Sequence, residues 1–196
     1  VLDSAILREN ISSSLADALS AGSTIFIKSY GRATLATASF RGTAPSHTQV
    51  TWNGMKMNSP MLGQVDFALI PSYFVDDAAI YHGASSVGIT GGGLGGAVTL
   101  GTKEPETPGF SMRYVQGIGS FTTFDEFLRL SYRGKRWSSS TRVLVSTSEN
   151  DFRYRNYDSK QFVTDANGQI VDDYYPLQRN RNGAFRDLHL LQELYY

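Results

Sequence analysis

Cysteine is absent from the 196 residues. Its absence excludes disulfides, thiolate metal centres and a cysteine nucleophile. An excess of one charge is also lacking: 18 Lys and Arg balance 18 Asp and Glu, so no basic footprint points to nucleic acid. No apolar run approaches the roughly 18 residues of a membrane helix. That excludes a helical span and leaves β-strands open as a crossing element. No signal peptide opens the chain, so an exported protein has lost one and residue 1 is not expected to be its native start. His47, His82 and His189 are the only histidines, and none forms an H-x-x-x-H or H-E-x-x-H pair. No G-x-S-x-G elbow occurs. What the chain does have is 19 Gly, 11 Tyr and 11 Phe, and long stretches in which apolar and polar residues alternate.

The first such stretch runs over 38–58. Ala38 and Phe40 fall on one face, Ser39 and Arg41 on the other. Gly42 to Ser46 supplies turn residues, with Pro45 fixing its own φ. Thr48, Val50 and Trp52 then alternate with His47, Gln49 and Thr51. The periodicity predicts a β-hairpin, with a second tight turn at Asn53-Gly54. Upstream, Val1 to Ile6 reads as a short strand. Ile11, Leu15, Ala18 and Leu19 recur at helical spacing, with Asn10 or Ser12 as cap, a Ser14/Asp17 capping box, and Gly22 ending the helix in the left-handed region. Thr24 to Ser29 is a strand. Val65 to Pro71 is a helical turn, and Ala78 to Tyr81 and Gly96 to Gly101 are strands. Lys103 to Gly109 reads as a linker, dividing the chain into residues 1–104 and 105–196.

Phe40-Arg41-Gly42-Thr43, the Ser46-His47 pair, the strand after it and Asn53-Gly54 with Lys56 and Asn58 resemble the plug domain of TonB-dependent outer-membrane receptors. The cobalamin and siderophore receptors are the nearest in look. Val75 to Val87 and Gly92 to Leu100 extend the resemblance over roughly residues 7 to 102. Two departures bear on the substrate: Trp52-Asn53-Gly54 stands where many members have an apolar residue, Asp and Gly, and His82-Gly83-Ala84 where an Arg-Gly-Pro type turn is common. The resemblance implies an α+β plug domain, a small mixed β-sheet with short helices, followed by antiparallel strands of a transmembrane β-barrel.

The second half fits that expectation. Phe110, Met112, Tyr114, Gln116 and Ile118 alternate with Ser111, Arg113, Val115 and Gly117. Three more segments repeat the dyad period, over 124–132, 137–145 and 187–196. A short turn at Arg133 to Arg136 and a long polar loop over Ser148 to Gly183 match the short periplasmic turns and longer extracellular loops of such barrels. The chain supplies about four of the roughly 22 strands such a receptor closes around its plug, which makes it an open fragment.

The resemblance implies a nutrient receptor of the bacterial outer membrane, not an enzyme and without a cofactor. It would take up a siderophore-iron complex or cobalamin. Its partners would be the nutrient, outer-membrane lipid and TonB, the last gripping a segment upstream of residue 1. Carried over loop by loop, it nominates Tyr30, Arg32, Thr34, Asn58, Ser59 and Gln64 as substrate-binding, with Met57, Met61 and Leu62 adding apolar contact. Arg41 is expected to pair with an acidic residue of the barrel wall, because an unpaired charge buried there costs several kcal/mol. Two rivals remain. A surface barrel or adhesin-like binding protein would not transport. A nucleotide enzyme would use Gly91, Gly93 and Gly96 as G-x-G-x-x-G, which requires a helix after Gly96. Asp165-Ala166-Asn167-Gly168 resembles part of a calcium loop, but the terminal acidic ligand is missing, and it reads as a hairpin turn; no metal site is expected.

Overall fold

The computed structural model describes residues 2–29, 34–40, 42–83 and 95–196. Tyr30, Arg32, Arg41, Gly91 and Gly93 lie outside the described residues.

The chain opens with a helix rather than a strand. Asp3 caps α1 (Ser4–Leu7), accepting a bond from Ala5 N at 2.9 Å, and only Leu2 keeps a strand-like bond, to Ala78 O. The Ser14/Asp17 capping box forms and starts α2 (Leu15–Gly22). A helix this short needs docking to persist: Leu15, Ala16, Ala18 and Leu19 are all buried. Gly22 is not left-handed. It is the last helical residue, and a Cβ there would lie 2.5 Å from Leu2 Cδ1, so its role is space for the α1 segment.

The hairpin predicted over 38–52 does not form. β1 (Phe26–Ser29) pairs with β2 (Ala36–Ser39), and a 3-10 turn over Pro45–His47 carries the chain to β3 (Thr48–Trp52) in another sheet. Both edges of β3 are taken. β4 (Met55–Lys56) pairs with it antiparallel through the predicted Asn53-Gly54 turn, and β6 (Gly96–Gly101) pairs with it in parallel. β5 (Asp77–His82) completes a mixed sheet in the order β4-β3-β6-β5. One side-chain bond, Thr48 Oγ1 to Ala38 O at 3.1 Å, links the two sheets. Gly96 opens a strand, not a helix, so it opens no nucleotide site. Its φ is +154°, and a Cβ would sit 2.5 Å from Tyr81 O and 3.0 Å from the Phe40 ring; only glycine lets those backbones pass.

Four long strands follow: β7 (Gly109–Gly119), β8 (Thr123–Arg133), β9 (Ser138–Ser148) and β14 (Phe185–Tyr195), each 11 residues. They form one antiparallel sheet in the order β14-β9-β8-β7. One face carries exposed Phe110, Met112, Tyr114, Ile118, Phe124, Leu188 and Leu190. The opposite face carries buried Asp125, Ser131, Ser140, Arg142 and Ser146 and packs on the first half of the chain. The Phe110–Tyr132 row and the Ile118–Phe124 row lie eight residues apart along the strands, roughly 27 Å at 3.4 Å per residue. With strand tilt, that approaches the apolar band of about 25 Å of an outer-membrane barrel. Tyr132 and Trp137, with ring centroids 4.9 Å apart, stand at one end as interfacial aromatics do.

The connection over 149–184 is not a plain loop. It folds into two hairpins, β10 (Arg153–Arg155) with β13 (Leu177–Arg179), and β11 (Gln161–Thr164) with β12 (Ile170–Tyr174). Asp165 to Gly168 is the turn of the second. The Asp165 carboxylate accepts from Asn167 N and Gln169 N and so closes that turn.

Candidate functional site

Two places bring polar side chains together. The first lies where the mixed-sheet domain meets the strand wall. An apolar seam is laid down by Ile11, Tyr73 and Phe74 from the domain and by Phe127 and Leu144 from the wall. Phe127 is 1% exposed and meets Tyr73 edge-on at 5.1 Å. Burying a side chain of this size contributes about 1.5–3 kcal/mol.

Beside that seam is a charge cluster. Arg129 on β8 and Arg142 on β9 are direct cross-strand partners, an opposition of like charges that destabilises a sheet. The mixed-sheet domain supplies what they need. Asp76, whose side chain is 8% exposed, accepts from Arg142 through both carboxylate oxygens, from Arg129 Nη1 at 3.3 Å and from Arg8 Nη2 at 2.6 Å. The Arg142 side chain is fully buried and also donates to Phe74 O at 2.7 Å. Lys103 N adds a fifth donor to the carboxylate, at 2.9 Å. Burial works against the Asp76 carboxylate, but the hydrogen bonds from Arg142 and from Lys103 N outweigh it and hold the carboxyl below its usual range. Burial lowers the basicity of Arg8 in spite of Asp76, and Arg113 and Arg142 push the same way. A guanidinium starts so high that it stays charged at any ordinary pH.

A neighbouring node holds the same seam. Glu193 on β14 accepts from Thr102 Oγ1 and from Asn53 Nδ2 at 3.2 Å, and lies 4.0 Å from Arg142. The supposed linker is tied down as well: Arg133 donates to Pro105 O at 2.5 Å, and Ser138 to Glu104 at 2.7 Å.

The second place is the end of the domain away from that node. The 59–64 loop lies against the 3-10 turn at Ser46: a Cβ on Gly63 would be 3.1 Å from Ser46 Cβ. Ser59 and Gln64 are its stems, joined by Ser59 N to Gln64 O at 3.0 Å, and Met61 and Leu62 are exposed at its tip. Asn58 does something other than face a ligand. It is buried, its Oδ1 accepts from Val50 N at 2.8 Å, and its Nδ2 donates to Thr48 O at 2.8 Å and Gly63 O at 2.7 Å. With its donors spent internally, it braces the loop. Thr34 is exposed on the connection between β1 and β2. The stems of that connection, Ser29 and Ala36, border a groove of about 430 Å³ shared with Asp125, Ser146 and Asp187 of the wall. Those wall residues lie near the end of the sheet from which the 149–184 arm springs, so Ser29 and Ala36 stand toward the arm end.

A compact mixed-sheet domain, clamped to the polar face of an antiparallel sheet whose other face is apolar, is a plug docked on the wall of a membrane barrel. The TonB-dependent Receptor Plug Domain family matches residues 1–97. Residues 1–97 belong to that family: the chain carries a TonB-dependent receptor plug followed by antiparallel strands of the barrel type.

Solved structures share the fold. The copper transporter OprC matches with a TM-score of 0.60 at 17% identity, over 82% of this chain and 24% of that one. The pyoverdine outer membrane receptor FpvA from Pseudomonas aeruginosa PAO1 matches at 0.58 and 18%, over 74% and 21%. A mutant of the ferric enterobactin receptor PfeA from Pseudomonas aeruginosa matches at 0.54 and 14%, over 71% and 23%. This chain thus spans about a quarter or less of each of these proteins. No curated protein matches it in sequence.

Sequence reasoning looked for a plug arginine, Arg41, against a wall acid. The described ionic contact has the opposite polarity, a plug aspartate against wall arginines. Arg129 and Arg142 were visible as charged residues on polar strand faces, but their opposition depends on register.

Proposed function

We propose that this chain is the plug and first wall strands of an outer-membrane receptor that binds a scarce nutrient outside the cell and admits it to the periplasm. TonB of the inner-membrane complex supplies the energy through a segment preceding the plug. No covalent chemistry is involved: the closed plug holds the ligand, and a remodelled plug releases it. The observation that carries this reading is the docking of the plug on the polar face of an amphipathic wall through Asp76, because a stopper clamped by ion pairs is a part that has to move. The ligand meets Thr34, Ser59 and Gln64 together with Tyr30 and Arg32, while Met57, Met61 and Leu62 give apolar contact.

Siderophore-iron, cobalamin and, from the likeness to a copper transporter, copper are the nutrients to test. Cells lacking the full-length receptor should grow poorly when one of these is limiting. Restoring the receptor should rescue growth only when TonB is present. Rescue without TonB, or no defect under any limitation, contradicts the transport reading and favours a surface binding protein.

A further inference from the structure

The wall arginines have a second carboxylate within reach, and the docked plug leaves half of it unspent. Glu193 on β14 is the direct partner of Ser140 on β9, and Arg142 lies two residues along β9 from Ser140. Glu193 and Arg142 are therefore diagonal neighbours on one face of the wall, a spacing that long side chains bridge. The wall's own register sets that spacing, so it does not depend on the plug. Glu193 Oε1 is taken by Thr102 Oγ1 and Asn53 Nδ2 of the mixed-sheet domain. Glu193 Oε2 faces Arg142 Nη2 at 4.0 Å, too far for a hydrogen bond. That oxygen is buried and accepts no hydrogen bond among the described residues, and the buried Arg142 Nε donates none. Native structures keep few such groups, because each forfeits its bond to water without a replacement. Here an unspent acceptor and an unspent donor sit on neighbouring strands. The plug has a matching arrangement. Arg8 and Asp76 both belong to it and pair at 2.6 Å. Lifting the plug off the wall breaks the bonds from Arg129 and Arg142 to Asp76, and those from Thr102 and Asn53 to Glu193. It leaves one carboxylate beside one arginine on each side.

We infer that Glu193 is a positioning residue for plug release: it takes Arg142 when Asp76 leaves, while Arg8 stays with Asp76. Partners are exchanged, and neither side is left with a charge that has lost its only counter-ion. That matters because an orphaned charge in a buried interface is far more costly than the pair it came from. The exchange lowers the released state towards the docked one, so the plug comes away and returns without the wall register giving way. The inference rests on the uptake reading above, in which the plug has to move.

The test uses the full-length receptor in detergent, with hydrogen exchange at the amides of β3, β5 and β6 as the measure of plug opening. Glu193→Gln keeps an acceptor for Thr102 and Asn53 and removes the charge that the released Arg142 needs. Plug exchange should slow by at least about threefold, the scale of one cross-strand charge pair lost from the open state. A Glu193 that serves only to hold the docked plug predicts the opposite sign, faster exchange. Adding Asp76→Asn should abolish the slowing, because Arg142 then passes to Glu193 with the plug still in place. A crystal structure of the Asp76→Asn receptor should accordingly show Arg142 and Glu193 about 2.7–2.9 Å apart, and it requires no change at Glu193 itself. Faster or unchanged exchange in Glu193→Gln, slowing that persists with Asp76→Asn, or an Arg142 still 4.0 Å from Glu193 in that structure overturns the inference. Growth rescue with and without TonB decides the uptake reading independently, because exchange in the purified receptor involves no transport.

Discussion

Arginines oppose one another across strands in two regions, a row of Arg113, Arg129 and Arg142 in the wall and the pair Arg153 and Arg179 in the arm, and the molecule treats the two in opposite ways. Arg129 and Arg142 are in the wall, with Arg142 wholly buried. Arg153 and Arg179 are in the arm, both exposed. Water screens the exposed pair, so its repulsion is small and one acid, Asp151, suffices to hold Arg179. Water reaches the wall pair far less, since Arg142 is wholly buried and Arg129 only 22% exposed, and a lone charge at Arg142 would cost several kcal/mol. The compensating carboxylate comes from a different part of the chain. Glu193 of the wall stands 4.0 Å from Arg142, but Asp76 is the carboxylate that hydrogen-bonds both arginines, so wall pairing and plug docking are coupled. The same register error that would be trivial in the arm is a docking determinant in the wall.

The largest loss is expected at Asp76. Asp76→Asn leaves three guanidiniums around a neutral amide, and the chain should lose about 3–5 kcal/mol, read by denaturant unfolding in detergent. A loss below about 1 kcal/mol would put Asp76 in the same class as the surface pairs of the arm. Titration probes the same carboxylate. Its folded value lies below the unfolded one of about 3.9, so its contribution is full above that pH and is lost as pH falls through the lower folded value. Plug–wall protection in hydrogen exchange should therefore stay flat from neutral pH to about 5. It should fail only below the usual carboxylate range, and a fall near pH 6 would implicate another group.

Asn58 offers a smaller effect at an uncharged site. Asn58→Ala orphans the buried Val50 N–H and frees the Gly63 carbonyl, so roughly 2–3 kcal/mol should be lost, with exchange rising first in residues 57–65. If stability holds and only ligand binding falls, Asn58 belongs to the ligand surface after all. Smallest of all is the arm. Arg153→Gln should change stability by no more than about 0.5 kcal/mol, in the stabilising direction if at all, by the same unfolding measurement. A substantial loss would mean that the exposed pair has a partner of its own.

These differences also show what could be read before any fold was known. The amphipathic strands were legible because alternation records which face meets lipid and which meets the plug. The Asn53-Gly54 turn and the Ser14/Asp17 box were legible because each is a local bargain between neighbouring residues. The hairpin over 38–52 failed because pairing is settled by which edges are free, and β6, 44 residues on from the end of β3, takes the edge β2 would have used. The Asp76 cluster was hidden by a single residue. Reading the turn as 133–136 sets Arg129 opposite Ser140. The observed turn, between Arg133 and Ser138, sets it opposite Arg142. One position in a turn moves the register by two, and with it the electrostatics of the wall. Asn58 misled for a different reason: a carboxamide next to a loop suits a ligand and a buried brace equally, and only burial tells them apart.

The most direct test of the docking interaction is a double-mutant cycle on Asp76→Asn and Arg142→Gln, with unfolding free energies measured for the chain, each single variant and the pair. If the plug carboxylate compensates the buried wall arginine, the two losses overlap, and the coupling should be at least about 1.5 kcal/mol. Losses that add to within about 0.5 kcal/mol would mean that Asp76 and Arg142 act separately and that the plug is held to the wall by its apolar seam alone.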